Sequence, residues 1–145
     1  MAITSAICTS IKVELLKGVH DFTATTGDTF KIALYTSSAT LGAGTTAFTT
    51  TNEITNSSGT AYTSGGATLR SVTPTSSGTT ALCDFSDVSF TSASFTANGA
   101  LIYNDDESDK AVCAIAFGAD KTVTSGTFTI QFPTADATNA IIRLA

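Results

Sequence analysis

Asp28-Thr29-Phe30-Lys31-Ile32-Ala33-Leu34-Tyr35 is the stretch that decides the fold class. Phe30, Ile32 and Leu34 share one face, while Thr29, Lys31, Ala33 and Tyr35 share the other. A strand alternates its faces in this way and a helix does not. The period of two therefore predicts a half-buried β-strand. The same period returns downstream. Residues 67–75 carry Leu69 and Val72, with Pro74 near their end. Residues 80–90 carry Leu82, Phe85, Val88 and Phe90, and residues 95–103 carry Phe95, Ala97, Leu101 and Tyr103. Asn98-Gly99 interrupts that last run and reads as a bulge. Residues 110–117 bear Val112, Ile115 and Phe117, residues 122–132 bear Phe128, Ile130 and Phe132, and residues 139–144 bear Ile141, Ile142 and Leu144. Pro133 cannot donate to a ladder and should end its strand.

The pattern predicts roughly seven to nine short strands at the spacing of sandwiches and barrels. No helical pattern lies between them, and parallel strands need crossovers, so the sheets should be mainly antiparallel. The expected fold is all-β: an antiparallel β-sandwich, jelly-roll-like, with one short N-terminal amphipathic helix.

That helix is predicted over residues 5–18. Ile7, Ile11 and Leu15 recur at helical spacing, with Cys8 and Leu16 on the flanks of the stripe. Ser5 suits the N-cap, Gly18 suits the C-terminal stop, and Lys17 suits the dipole of the last turn. The stripe either covers one end of the sheet or docks on a partner subunit. The chain thus divides into an N-terminal arm with a short helix, 1–20, and a β-sandwich, 21–145, within one domain.

Between the first strand and the next lies an excursion over residues 36–66, rich in Thr, Ser, Gly and Asn. Leu41, Phe48, Ile54 and Tyr62 are its isolated anchors, and Gly42, Gly44, Gly59, Gly65 and Gly66 punctuate it. It is too long for an ordinary loop in a compact domain. It reads as a contact surface, or as a mobile loop with one short edge strand.

Composition excludes several functions. The chain has 145 residues, enough for one domain with a real core. Thr, Ser, Ala and Gly together make up more than half of it. Its 42% hydrophobic content argues against disorder, which combines low hydrophobicity with high charge. With 7 Lys and Arg against 12 Asp and Glu, it lacks the clustered cations of a nucleic-acid binder. No apolar run approaches the length of a membrane span. Met1-Ala2-Ile3-Thr4-Ser5 lacks the pattern of a secretory signal. Cys8, Cys83 and Cys113 are therefore expected as reduced thiols, with Cys83 and Cys113 in strands. One His and no Cys-x-x-Cys leave no zinc set of the usual kind.

The remaining chemistry is sparse. Asn104-Asp105-Asp106-Glu107-Ser108-Asp109-Lys110 reads as a hairpin tip. Its carboxylates suit a solvated turn better than a cation loop, because the spacing and the central Gly of that loop are missing. His20-Asp21 reads as a structural pair, with His20 bonding backbone near the helix end. The sharper alternative is half of a hydrolase triad completed by a Ser or Cys. No nucleophile elbow, phosphate loop or dinucleotide fingerprint occurs. The nine Phe alternate within strands and read as core. Asn56-Ser57-Ser58 matches a glycosylation sequon, which carries no weight without a secretory signal. No catalytic, cofactor-binding or metal-binding residue is assigned.

One resemblance runs along the chain. Cys8, Ser10, Ile11, Lys12, Glu14, Leu15, Leu16, Gly18, His20 and Phe22 form a spaced N-terminal pattern, followed by residues 28–42. Gly65-Gly66-Ala67-Thr68-Leu69, Ala100-Leu101-Ile102-Tyr103-Asn104 and Phe117-Gly118-Ala119-Asp120-Lys121 come later. Together they resemble a family of small structural proteins of tailed bacteriophages, especially phages of aquatic bacteria and cyanobacteria. The resemblance implies a virion component without enzymatic activity and without a cofactor, made in the host bacterial cytoplasm. Such proteins decorate (cement) capsids, form head fibres or associate with tails. The first expectation is a decoration protein that forms knobs on the head, binds the major capsid protein and is a homo-oligomer, trimeric by analogy. Repeated weak contacts multiplied by symmetry would stabilise the shell. The second is a tail or fibre component that recognises a host glycan through exposed Tyr35 and Tyr62. No nucleic acid, membrane or small-molecule substrate is expected as a partner.

Overall fold

Residues 30–35 do form a strand, but one buried on both faces from Ile32 to Tyr35 rather than on one. The computed structural model describes residues 2–55 and 61–145. Its elements, in chain order, are β1 (Ala6–Ile7), α1 (Thr9–Leu16), β2 (Phe30–Tyr35), β3 (Ala67–Thr68), β4 (Ser71–Ser77), β5 (Thr80–Phe85), β6 (Val88–Asn104), β7 (Lys110–Ile130) and β8 (Ile142–Leu144). Five strands form one sheet in the order β1-β7-β6-β2-β3, and three form a second, β4-β5-β8. Each pairing between these named strands is antiparallel. The two sheets make a sandwich-like arrangement, as the alternation predicts.

β2 is buried twice over because of what covers it. One edge pairs with β6, from Phe30 opposite Asn104 to Tyr35 opposite Gly99. Lys31 and Ile32 on the other edge pair with β3. Beyond β3 the excursion takes over that edge. Ile54 donates its N–H to the Leu34 carbonyl at 2.9 Å, the Tyr62 hydroxyl accepts from the Leu34 N–H at 2.9 Å, and Thr36 donates to the Asn52 carbonyl at 3.0 Å. An open edge invites pairing with another chain, and this one is sealed by the protein's own loop. Gly66 closes the excursion with φ at +80°, against the Ile32 carbonyl, where any Cβ would overlap the oxygen. Only glycine fits there.

The strands are fewer and longer than the turn signals suggest along the second half of the chain. β6 and β7 run through Asn98-Gly99 and through Gly118 as continuous strands. The irregularities are absorbed as bulges. Ala97 pairs with Lys121 and Gly99 with Ala116, so residues 117–120 of β7 stand opposite Asn98 alone. Asn98 Nδ2 donates to Asp120 Oδ1 across that bulge at 2.8 Å. Ser92 and Ser125 adopt left-handed φ values of 51° and 46° at further register shifts. Conversely, residues 67–75 split into two strands, because β3 joins the large sheet while β4 joins β5 in the small one.

The helix is shorter than its apolar spacing indicates. Ala6 and Ile7 pair with Ala114 and Cys113 of β7, so the arm begins as an edge strand. Ser5 is not the N-cap; its hydroxyl accepts the Ala116 N–H at 2.8 Å, and Cys8 takes the cap position without a side-chain bond. The C-terminal end follows expectation. Gly18 lies at φ 70°, and its N–H and that of Val19 bond the Leu15 and Glu14 carbonyls. That is a Schellman closure.

The core is contiguous. Phe22 stacks on Phe30 at 4.3 Å, Phe30 meets Phe85 of the small sheet at 5.9 Å, and Phe85 meets Phe132 at 5.6 Å. Tyr62, Phe90, Phe95 and Phe128 form a second aromatic group.

Candidate functional site

The structure gathers the residues that sequence reading singled out into three internal networks and one outward face. The first network centres on His20, whose side chain is wholly inaccessible. Its Nε2 lies 2.6 Å from Glu14 Oε2 on α1, and its Nδ1 lies 2.9 Å from Asn104 Nδ2 at the end of β6. The same Asn104 amide donates to Asp28 Oδ2 at 2.7 Å. An amide nitrogen only donates, so Nδ1 accepts and the ring proton sits on Nε2, donating to Glu14. The expected bond from His20 to backbone is not there; two side chains take its place. Both ring nitrogens are engaged, neither with a Ser or Cys, so the triad geometry is not formed. Asp21 does not pair with His20 either. Its carboxylate accepts the Thr23 N–H at 2.9 Å, and the Thr23 hydroxyl together with that N–H holds its pKa below the ordinary carboxylate value. Asn104 was invisible as a site residue, because its partners lie far away in the chain.

The second network is the hairpin tip between β6 and β7. Asp106 Oδ2 accepts the Thr29 N–H at 2.6 Å, Asp105 pairs with Lys31 at 3.1 Å, and Asn104 Oδ1 accepts the Asp106 N–H at 3.1 Å. These carboxylates tie the tip to the start of β2. Glu107 and Asp109 contribute their backbone carbonyls, to Lys110 Nζ and to the Phe48 N–H. Among the described residues, no three His, Cys, Asp or Glu side chains gather to hold a metal ion.

The third network lies under the excursion. Glu53 is buried and receives the Tyr62 hydroxyl at 2.7 Å, the Ser64 hydroxyl at 2.8 Å and the Gly65 N–H at 2.6 Å. Tyr35 donates to the Thr49 carbonyl at 2.7 Å. Tyr35 is 0% exposed and Tyr62 1%, which corrects the expectation of exposed aromatics on loops. Their hydroxyls act as internal pins, and burial pushes both phenol pKa values up. Leu41 and Ile54 are buried too, and Phe48 stacks on Tyr103 at 4.6 Å. The excursion is thus anchored inward. Asn56, Ser57, Ser58 and Gly59 lie outside the described residues.

The thiols are core groups. Cys8, Cys83 and Cys113 are all buried. Burial pushes Cys83 up to about 11 and Cys113 up to about 12. Such thiols are poor nucleophiles at neutral pH. Cys8 is the nearer thiol to Cys113, its N–H donating to the adjacent Val112 carbonyl, whereas Cys83 lies in the other sheet.

The outward face is built from the two ends of the chain. Val13 is 50% exposed, Leu16 91% and Leu144 58%. Two grooves flank Leu15, Ile142 and Leu144, which line both. One, of about 480 Å³, is walled by β1, α1 and β8. The other, of about 270 Å³, reaches Phe22, Leu82 and Cys83. Lys12, Lys17 and Arg143 are exposed around the apolar residues. Among the described residues none of the three makes an ion pair within 4.0 Å. The helical spacing located the stripe correctly at Ile11, which is 1% exposed, but Leu16 on its flank points into solvent. A separate apolar groove of about 540 Å³ lies beside the β7 bulge, lined by Phe117, Phe128 and Phe132 among others.

Comparison with family models, with curated proteins and with solved structures finds no match to this chain. Among the described residues, no helix is long and apolar enough to cross a membrane.

Proposed function

We propose that this chain is a non-enzymatic structural protein of a tailed-phage virion, a decoration protein that binds the major capsid protein and stabilises the head. The observation that carries the reading is the α1–β8 face. A large side chain such as Leu16, 91% exposed on the same helix as the half-exposed Val13, is costly to leave in water unless a partner covers it. The groups with chemical potential point the other way. His20, Glu53 and the three thiols are engaged or buried inside. The resemblance to phage structural proteins adds to this, since its N-terminal pattern includes Lys12, Leu15 and Leu16 of the face. A knob that docks through its chain ends keeps its sandwich free to project. The oligomer is proposed as a trimer by analogy.

Cryo-electron microscopy of the virion at side-chain resolution tests the reading. Density for this fold across the icosahedral shell, with α1 and β8 against the capsid protein, is the expected result. Density confined to the tail would overturn decoration in favour of a tail or fibre role. Absence from the particle would overturn both.

A further inference from the structure

We infer that the cleft between β1 and β8 receives an extended, carboxylate-bearing apolar segment of the partner protein, paired along the open edge of β8. The inference rests on the docking reading above and names the chemistry of the partner. β1 is the edge of the five-stranded sheet and β8 the edge of the three-stranded one. Among the described residues, β8 bonds within the sheets only to β5, through Ala81 to Cys83. Its other edge therefore offers backbone groups to a further strand, the mode by which extended segments add to sheets. Ile7, Ile11, Leu15 and Leu144 wall the cleft, giving places for alternate apolar side chains.

The rim decides the charge. Lys12 and Arg143 both line the cleft, and Lys17 stands exposed at the C-cap of α1, outside the cleft itself. These are three of only seven basic residues in a chain of net charge −5. Positive charge is gathered here against the trend of the whole surface. Arg143 is felt by Asp136, but neither it nor the two lysines is neutralised by an ion pair among the described residues. A partner with carboxylates beside its apolar residues would complement this rim, and the acidic remainder of the surface would repel it from other sites.

The test uses the full chain and labelled synthetic ten-residue peptides of alternating valine and aspartate, followed by fluorescence anisotropy. The matching valine–lysine peptide and a backbone N-methylated valine–aspartate peptide are the controls. The acidic peptide should bind roughly tenfold or more tighter than the basic one, and Lys12→Glu with Arg143→Glu should reverse that order. N-methylation should weaken binding by about tenfold, because a methylated strand cannot complete a ladder. Equal binding of the acidic and basic peptides, or no binding at all, overturns the inference. Undiminished binding of the N-methylated peptide overturns strand pairing. Sedimentation velocity of the chain alone supplies the other arm. Self-association abolished by the charge-reversed variant would make a second copy the occupant and overturn the assignment to another protein. These results separate from the virion reading. Selective peptide binding by a chain absent from particles would refute decoration alone, and decorated shells indifferent to Lys12 and Arg143 would refute the cleft alone.

Discussion

The excursion over residues 36–66 and the α1–β8 face make an instructive pair. One is almost without regular structure and the other is built from a helix and a strand, yet both carry isolated apolar residues among small or polar ones. One turns its anchors inward. Leu41, Ile54 and Tyr62 are all buried, and Glu53 gathers three donors beneath them. The other turns its apolar residues outward at Val13, Leu16 and Leu144. The difference lies in what each must satisfy. The excursion borders β2, whose Leu34 backbone groups, with that of Thr36 just beyond the strand, need partners that β3 is too short to supply. Unpaired backbone groups in the interior are expensive, so the loop is drawn in to meet them. The helix bonds its own backbone and closes its own C-terminus, so nothing compels its outer side inward.

If that contrast is right, the excursion is part of the core and its removal should cost accordingly. Tyr62→Ala deletes a ring that touches Phe90 and Phe95 and the hydroxyl that serves Leu34 and Glu53. The expected loss is about 4 kcal/mol in urea unfolding. A loss under about 1 kcal/mol would mean that the excursion is a surface loop after all. On the helix, Ile11→Ala should cost about 3 kcal/mol, since Ile11 is its one fully buried residue. Tyr62→Phe keeps the ring and isolates the pin. It leaves the Leu34 N–H without its acceptor and Glu53 without one donor, for about 2 kcal/mol. A null result there would move the sealing role from the hydroxyl to the ring.

Sequence reading found the strands because period-two alternation is a local property. Phe30, Ile32 and Leu34 announce their common face without help from the rest of the chain. It also placed the helix stop at Gly18 and the hairpin tip at Asp105 to Asp109. It read Asn98-Gly99 as a bulge, as the structure has it, but did not see that β6 and β7 run on through residues 91–94 and 118–121, whose small and polar residues have the composition of turns. Whether such residues turn the chain or bulge it depends on the neighbouring strand. It also missed Asn104 and Glu53. Each is an ordinary polar residue until the fold brings His20 and Asp28 to the first and Tyr62, Ser64 and Gly65 to the second. Direction was the largest gap. Spacing says that Ile11 and Leu15 share a stripe, but only the packed sheet decides that the stripe's flank at Leu16 faces water.

Asp84 gives a pH handle on the β8 side of the comparison. It is 1% exposed, its Oδ1 accepts the Phe85 N–H at 2.8 Å, and its Oδ2 is buried with no hydrogen-bond partner among the described residues. Burial raises its pKa above the ordinary value. The folded state therefore keeps this proton to higher pH than the unfolded state does. Its contribution to stability is full below the unfolded carboxylate value and falls as pH rises through the raised one. Asp84→Asn cannot ionise, so its stability relative to wild type should improve from acid to neutral pH in paired urea titrations. A gap independent of pH would show that the carboxyl titrates as it does in the unfolded chain.

The smallest expected effect is the most discriminating. Leu16→Gln removes the most exposed large apolar side chain of the described structure, at 91% exposure. It breaks no buried contact and retains good helix propensity, so unfolding free energy should stay within about 0.5 kcal/mol of wild type. Docking should respond differently. If α1 lies against the capsid protein, the variant should fail to sediment with shells that retain the wild type, while its far-UV spectrum and urea midpoint stay the same. A destabilised variant would place Leu16 in an intramolecular contact, and the outward face would then belong to the core like the excursion. A stable variant that still decorates shells would leave the face exposed for another reason and move the contact elsewhere on the sandwich. Only unchanged folding together with lost docking keeps the two regions distinct, one holding the domain together and the other joining it to its partner.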